Sequence, residues 1–477
     1  MNGSADRAVP LCVDLDGTLV RTDLLLESFL TLLREQPLQA LRAPLWLAGG
    51  KARLKAEIAS RVDFSTIELP YRPEIVELIE RERGAGRPTV LVTGSHQSLA
   101  DAVAARAPLF DEVRGSDERV NLTAERKRDW LVSRFGQGGF DYIGNDRDDL
   151  RVWPSARRAI AVSSSDGVAA DPSIGFERVI DDPKPGFQDY LNLMRVHQWS
   201  KNALIAVPFL LDQRFGDPRA TFAVVLGFFA MSLLASATYI VNDMLDLQAD
   251  RRNSTKRHRA LASGTVSIAR GAVAAGVLGF VALVLALMLP PMFQLALAVY
   301  LVLTLSYSFA LKRKAMLDVI MLAALHTLRV VAGTLAIGAE WSFWLLAFSL
   351  FVFFSLALAK RVAELANLAL AGRDMAPGRG YTVGDRAFLT MVGVSTGYLS
   401  VLVVALYINS AKVLRVYSEP MLLWLVCPVL MYWIGRIWLE TSRGNMHEDP
   451  IVFALKDRES LYTAIVLGAI VMLAMVL

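Results

Sequence analysis

Cysteine is almost missing: the 477-residue chain has two, Cys12 and Cys427. One sits in a short apolar run near the start and the other in a long apolar run near the end. That placement argues against a disulfide and against a cysteine metal site. An excess of charge is missing as well. Lys and Arg number 50 against 46 Asp and Glu, a net of +4, which says little by itself; no nucleic-acid partner is expected. The opening stretch, Met1 to Pro10, is polar and lacks the apolar core of a secretion signal, so the segment behind it is expected to stay cytoplasmic. Long apolar runs are lacking only in the first part of the chain. Up to about residue 190 the composition is that of a globular protein. From about residue 200, apolar runs near twenty residues recur, long enough to span a bilayer.

In the first part, short apolar runs alternate with helix-like segments. Leu11 to Val13, Thr89 to Val92, Tyr142 to Ile143 and Ala159 to Val162 are candidate strands. The alternation predicts an α/β doubly wound, Rossmann-like parallel sheet. Ligands in such folds sit beyond the carboxyl ends of the strands, and the unusual residues fall there. Asp14 and Asp16 end the first run in Val13-Asp14-Leu15-Asp16-Gly17-Thr18. One carboxylate can attack while the other serves as acid/base, if the chain turns at Gly17; the plain alternative is a solvated turn. Thr93 follows Val90-Leu91-Val92 and puts a hydroxyl at a second strand end. Lys127 can neutralise a phosphate and the attacking Asp14. Gly144-Asn145-Asp146-Arg147-Asp148-Asp149 offers hard oxygen ligands for Mg²⁺.

This ordered set resembles the haloacid dehalogenase-like phosphatase family over roughly residues 8–182. The resemblance implies that Asp14 is the phosphorylated nucleophile and Asp16 the general acid/base. Thr93 and Lys127 would hold the phosphoryl group, and Asp14, Asp16, Asp146 and Asp149 are the implied Mg²⁺ set. The first acidic position of the family's fourth motif is Asn145 here. Two alternatives follow: Asp146 or Asp149 takes over the metal, or the site is weakened and the domain is a non-catalytic phosphate-binding module. Residues 22–86 read as a helical cap over the site. Trp46 and the leucines of 24–33 are expected to be cap core, with a membrane-facing cap as the alternative.

The turn-rich, charged Asp181-Asp182-Pro183-Lys184-Pro185-Gly186 sets the expected boundary between residues 1–185 and residues 186–477. Beyond it, residues 191–199 mix Arg195, His197, Gln198 and Trp199 with apolar residues, as an interfacial helix does. Nine spans are expected, at about 200–212, 220–242, 269–289, 291–311, 315–338, 342–360, 386–409, 418–440 and 459–477. From a cytoplasmic N-terminus the even-numbered connections are cytoplasmic, and these hold the basic residues, among them Arg251 to Arg259, Lys312 to Lys314, Lys360, Arg361 and Arg443. Parity and the positive-inside rule agree. They predict an all-α polytopic domain in the inner or plasma membrane, with its active loops on the cytoplasmic side.

Asn242, Asp243, Asp246 and Asp250 follow the second span at three- or four-residue spacing. On a helix they share a face, so their oxygens can converge on Mg²⁺. Directly after them come Arg251, Arg252, Lys256, Arg257 and Arg259. Carboxylates for a metal beside cations for phosphate suit a diphosphate leaving group. Positive-inside anchoring explains the basic residues but not the acidic ladder. The segment Asn242-Asp243-Met244-Leu245-Asp246-Leu247-Gln248-Ala249-Asp250 resembles the first Asp-rich motif of the UbiA prenyltransferase superfamily, over roughly residues 190–477. The family's second Asp-rich motif, after the sixth span, reads Lys360-Arg361-Val362-Ala363-Glu364 here. Together with Arg195 to Asn202, Thr255 to Arg259 and Tyr307 to Lys312, this departure resembles the decaprenyl-phosphate phosphoribosyltransferases. In that branch the donor is phosphoribosyl pyrophosphate and the acceptor a polyprenyl phosphate. The resemblance implies substrate binding by Lys201, Asn202, Arg251, Lys256, Arg257, Arg259, Lys312, Lys360, Arg361 and Glu364.

Two functions stay open. One is phosphoribosyl transfer to a polyprenyl phosphate, followed by removal of the 5-phosphate by the fused phosphatase. The other is an aromatic prenyltransferase that uses a polyprenyl diphosphate. His326 and Arg329 lie inside the fifth span, where Arg329 either serves function or pairs with Asp318. Trp199 and Trp341 read as interface anchors, and Asp449 as a cover for the site or a solvated loop residue.

Overall fold

The computed structural model describes residues 9–117, 120–163, 173–182, 184–375, 379–410, 413, 417–446 and 449–477. Pro183 of the expected linker lies outside them. Two compact units emerge: Met1–Met194 with Tyr239–Ala275, and Arg195–Thr238 with Gly276–Leu477.

The first unit is built on six parallel strands: β1 Leu11–Val13, β2 Thr89–His96, β3 Glu112–Ser116, β4 Asp141–Gly144, β5 Arg158–Ser163 and β6 Phe176–Asp181. Their order is β3-β2-β1-β4-β5-β6. The expected strands are β1, β2, β4 and β5. The two edges, β3 and β6, had no apolar run to announce them. A strand with one neighbour and a wet side tolerates charge, and these carry Glu112, Arg114, Glu177 and Arg178. Chain direction across the sheet reverses beside β1, which pairs with β2 at Val13↔Leu91 and with β4 at Val13↔Ile143. The carboxyl end of β1 therefore opens at the switch point where such folds bind ligands. Thr93 lies inside β2 rather than at its end, but past the last β1 partner, so its hydroxyl still clears the paired region.

Residues 22–86 supply the expected helical cap, with helices Leu24–Glu35, Pro37–Ala40, Ala43–Ala48, Lys51–Ala59 and Pro73–Gly84. Asp23 starts the first by accepting from Leu26 N at 3.0 Å. Leu24, Leu32, Trp46 and Ile58 share one core cluster with Leu15 and Leu19, so Trp46 is cap core.

Eight described helices are long and apolar enough to cross a membrane: Pro218–Leu245, Ile268–Leu287, Pro291–Phe309, Leu317–Ile337, Phe343–Leu370, Val383–Ile408, Pro420–Ser442 and Arg458–Val476. They correspond to the expected second to ninth spans. The expected first is a 3₁₀ helix, Val196–Ala206, followed by a short α-helix, Val207–Leu211, with Pro208 at its start. Proline is tolerated in a first helical turn but not further in, so the two pieces do not fuse. Within the second unit, the Ile205 backbone lies directly on Gly333, where any Cβ would collide with the Ile205 carbonyl oxygen. That contact seats Lys201 and Asn202 against the helix Leu317–Ile337. Trp199 donates to Ser236 Oγ at 2.9 Å and meets Phe228 and Phe229 edge-on. It packs inside the unit instead of serving as a simple interface anchor.

Candidate active sites

The chain turns sharply after β1. Gly17 has φ +74°, and a Cβ there would run into the Asn145 side chain, so only glycine lets the Asp14–Asp16 loop close over Asn145. Asp14 is 5% exposed. Lys127 Nζ donates to Asp14 Oδ1 at 2.8 Å, to the Tyr142 hydroxyl at 3.0 Å and to Asp149 Oδ1 at 3.2 Å. Asp16 Oδ1 accepts from Leu24 N at 2.7 Å, and its Oδ2 accepts from Ser95 Oγ at 2.7 Å and Thr93 Oγ1 at 3.3 Å. Asp14, Asp16, Thr93 and Lys127 thus come together around one loop.

Burial pushes the Asp14 carboxyl up to about 7 against the pull of Lys127, with Asp149 and Asp16 adding to the rise. Burial also pushes Asp16 up to about 6, helped by Asp23 and opposed by its hydrogen bonds from Ser95 and Leu24. The pocket holds more carboxylate than its lysine neutralises, and its donors are hard oxygens, so the residues fit a divalent cation such as Mg²⁺.

The two expected stand-in ligands do other things. Asp149 is 1% exposed. Its Oδ1 takes Lys127 and the Tyr142 hydroxyl, and its Oδ2 accepts from Asn145 N at 2.9 Å and Asp146 N at 3.1 Å. Asp149 therefore orients Lys127 rather than offering an open metal position. Asp146 is exposed and caps the turn that follows it. Asn145 Oδ1 accepts from Thr18 Oγ1 at 2.9 Å.

The acidic ladder lies in the same unit. Asn242 and Asp243 close the helix Pro218–Leu245, Asp246 stands at the break, and Asp250 lies on Leu247–Arg252. Hydrogen bonds from Asp246 N to Asn242 O and from Asp250 N to Asp246 O, both 2.9 Å, carry the helical spacing through the break. Arg259 Nη1 reaches Asp243 Oδ1 at 3.2 Å and Asp250 Oδ2 at 2.6 Å, while Arg34 lies 3.9 Å from Asp246. Among the described residues no three His, Cys, Asp or Glu side chains gather closely enough to hold a metal. The Arg259 guanidinium is held between the Asp243 and Asp250 carboxylates. Burial raises Asp250, partly offset by Arg259.

Arg251 departs from its expected role. Its Nη2 pairs with Glu27 of the cap at 2.6 Å, both side chains buried. Its Nε donates to Ala262 O at 2.9 Å and its Nη1 to Glu68 O at 2.7 Å. Gln248 Nε2 adds a bond to Glu27 at 3.0 Å. The guanidinium is committed to the protein, not turned to a substrate. Lys256 and Arg257, by contrast, are exposed on the turn Lys256–His258. Arg251→Lys keeps the charge but cannot reach all three acceptors. It should destabilise this unit by about 1–3 kcal/mol, seen as a lower urea midpoint for proteolysis of the N-terminal half in the detergent-solubilised chain.

In the second unit, Lys201 and Lys360 close on one oxygen, Asp449 Oδ2, at 2.7 and 2.8 Å. Burial would raise Asp449, but Lys360 and Lys201 hold it well below the usual carboxylate range. Asp449 is thus neither solvated nor a loose cover. Arg329 Nε donates to Asn202 Oδ1 at 2.7 Å and its Nη2 to the Tyr300 hydroxyl at 3.1 Å. Its expected partner, Asp318, is taken by Arg361 at 2.8 Å, with neither side chain exposed, and by the Tyr381 hydroxyl at 2.5 Å. Arg361 also pairs with Glu364, which lies 3.4 Å from Arg379. Arg361 is therefore buried among protein partners, while Lys312 is part-exposed on the turn Leu311–Arg313.

Several contributors had no sequence signal. Ser95 binds Asp16, Tyr142 orients Lys127, and Lys55 reaches from the cap to Asn121 Oδ1 at 2.8 Å. Asp449 was visible only as one acid in the last connection.

Comparison with known proteins agrees with both halves. The UbiA prenyltransferase family matches residues 203–474, and the haloacid dehalogenase-like hydrolase family matches residues 11–134. The uncharacterized protein y4nM of Sinorhizobium fredii is 39% identical over 477 residues, covering 98% of this chain and 92% of its own. Nodulation protein NoeC of Azorhizobium caulinodans is 33% identical over 275 residues, 58% of this chain and 89% of its own. The decaprenyl-phosphate phosphoribosyltransferase of Mycobacterium tuberculosis is 36% identical over 176 residues, 36% of this chain and 58% of its own length. The chain spans a little over half of that enzyme. A match running from the short helices before the first long span to the end of the last places this multi-pass membrane protein in the UbiA prenyltransferase family, with a haloacid dehalogenase-like domain ahead of it in the chain.

Proposed function

We propose that the membrane domain moves phosphoribosyl from phosphoribosyl pyrophosphate to a polyprenyl phosphate, and that the N-terminal domain then removes the 5-phosphate. The observation that carries this reading is the Lys201–Lys360 pair. The second carboxylate motif of the family is replaced here by Lys360 and Arg361, and Lys360 joins Lys201 around one anionic oxygen at 2.8 and 2.7 Å. Two ammoniums that share an anion suit a phosphate monoester. Partial likeness to a decaprenyl-phosphate phosphoribosyltransferase supports the same donor and acceptor.

The chemistry balances simply. A lipid phosphate oxygen attacks the ribose C1, the C1–O bond to pyrophosphate breaks, and pyrophosphate leaves. Asn242, Asp243, Asp246 and Asp250 in one site, and Asp14 and Asp16 in the other, would hold Mg²⁺, whose charge counters that of the phosphate oxygens. In the second step Asp14 attacks the phosphorus of the 5-phosphate, and the P–O bond to the sugar breaks. Asp16 gives its proton to the departing sugar oxygen and then takes one from the water that releases Asp14. Lys127 holds the charge on Asp14 and the phosphoryl oxygens. The basic residues of the even-numbered connections support a cytoplasmic position for the N-terminal domain and the loops. Tethering to the transferase raises the effective concentration of the lipid product at the phosphatase.

Membranes carrying the chain should convert radiolabelled phosphoribosyl pyrophosphate and polyprenyl phosphate into a labelled lipid without its 5-phosphate. If no labelled lipid forms, while an aromatic acceptor and a prenyl diphosphate react, the protein is an aromatic prenyltransferase. A labelled lipid that keeps its 5-phosphate would make the N-terminal domain a phosphate-binding module.

A further inference from the structure

The cap carries an apolar face that its own core leaves uncovered. Leu38, Leu41, Leu45 and Leu47 are 80%, 72%, 71% and 50% exposed. They lie on the short helices Pro37–Ala40 and Ala43–Ala48 and the turn between them. The other side of this element is buried, since Ala40 and Trp46 belong to the cap core. The leucines therefore form the outer face of a packed element. Charge points the same way: between Gln36 and Ala56 the chain has Arg42, Lys51, Arg53 and Lys55 and no acid. Clustered exposed apolar residues mark an interaction site. With Arg42 and Lys51 beside them in the chain, they suit the surface of an anionic bilayer.

Position names the partner. Arg34, near the end of the helix Leu24–Glu35, donates to Leu245 O at 3.3 Å. Leu245 is the last residue of the apolar helix Pro218–Leu245, which is long enough to cross a bilayer. Leu38 follows Arg34 closely in the chain, within about 14 Å even if the backbone were fully extended. The leucine face thus follows closely on a residue bonded to the end of an apolar helix. We infer that residues 37–48 of the cap insert into the bilayer surface, so that the phosphatase site receives phosphate esters borne by membrane lipids. The membrane contact stands apart from the proposed reaction; its use for a lipid-borne phosphate ester rests on that reading.

The full chain in single-copy nanodiscs tests this. Cys12 and Cys427 are buried, so a nitrobenzoxadiazole label can be directed to Leu41→Cys, with exposed Glu80→Cys on the helix Pro73–Gly84 as control. Doxyl-labelled lipids should quench the label at position 41 and not at 80. An unquenched label at 41 overturns the inference, and so does one shielded from water without lipid quenching, the mark of a protein partner. In a second arm, Leu38→Ser, Leu41→Ser and Leu45→Ser are combined, which removes no core contact. The combination should raise KM for a lipid-linked phosphate ester about tenfold and leave hydrolysis of p-nitrophenyl phosphate unchanged. Equal loss on both substrates would assign the leucines to folding and overturn the inference. Quenching at 41 in a chain that hydrolyses no lipid phosphate would keep the membrane contact and remove the proposed reaction.

Discussion

Asp14→Asn should leave phosphoribosyl transfer intact and cut dephosphorylation by on the order of 10⁶-fold, the scale seen when a covalent nucleophile is removed. The product lipid should then accumulate with its 5-phosphate. An amide of the same shape cannot attack phosphorus, but its oxygen still accepts from Lys127, now 2.8 Å from Asp14 Oδ1. Lys127 also keeps Asp149 and the Tyr142 hydroxyl. The buried loop should therefore stay folded, and burial there disfavours charge in any case, as the raised Asp14 carboxyl shows. Mass spectrometry of the lipid from the intact protein and from the variant decides the matter. The same dephosphorylated lipid from both would break the link between the two steps and send the N-terminal domain to another substrate.

What the sequence made visible follows from how locally each feature is encoded. β1, β2, β4 and β5 are central strands, buried on both faces, and read as apolar runs. β3 and β6 are edges whose alternation is interrupted by charge, so nothing local marks them. Asp14, Asp16 and Lys127 stand in motifs, and the fold brings them together. Ser95 and Tyr142 reach Asp16 and Lys127, and Lys55 reaches Asn121, only through tertiary structure, and single polar residues carry no pattern. Cations were the hardest to sort. Arg251, Lys256, Arg257 and Arg259 look alike along the chain, yet Arg251 is sealed against Glu27 and Arg259 bridges Asp243 and Asp250. Helix geometry could have settled one case in advance. Arg329 lies eleven residues beyond Asp318 on one helix, a rise of about 16 Å, too far for an ion pair. The partner had to come from another helix, and Arg361 supplies it.

Asp246→Ala should lower transfer by about 10²–10³-fold, the loss typical of removing one electrostatic partner of a developing charge. Both forms of the lipid should fall together, because the second step is starved of its substrate. Asp246 stands at the break between two helices, with φ −94° and ψ 8°. Its backbone bonds run from its own N to Asn242 O and from Asp250 N to its O, both at 2.9 Å, and do not involve the side chain. Truncation should leave both helices in place, and p-nitrophenyl phosphate hydrolysis by Asp14 should continue as an internal check on folding. The contact with Arg34, 3.9 Å away, offers a structural explanation that a second variant separates. If that ion pair were what mattered, Arg34→Ala would reproduce the loss. If Asp246 serves the pyrophosphate charge, Arg34→Ala should keep most of the transfer, while Asp246→Asn, which keeps the shape and loses the charge, should fall with Asp246→Ala. Initial rates of lipid labelling from radiolabelled phosphoribosyl pyrophosphate read all three. Normal transfer by Asp246→Ala would take this residue out of the reaction and leave Asp243 and Asp250, joined through Arg259, as a structural bridge.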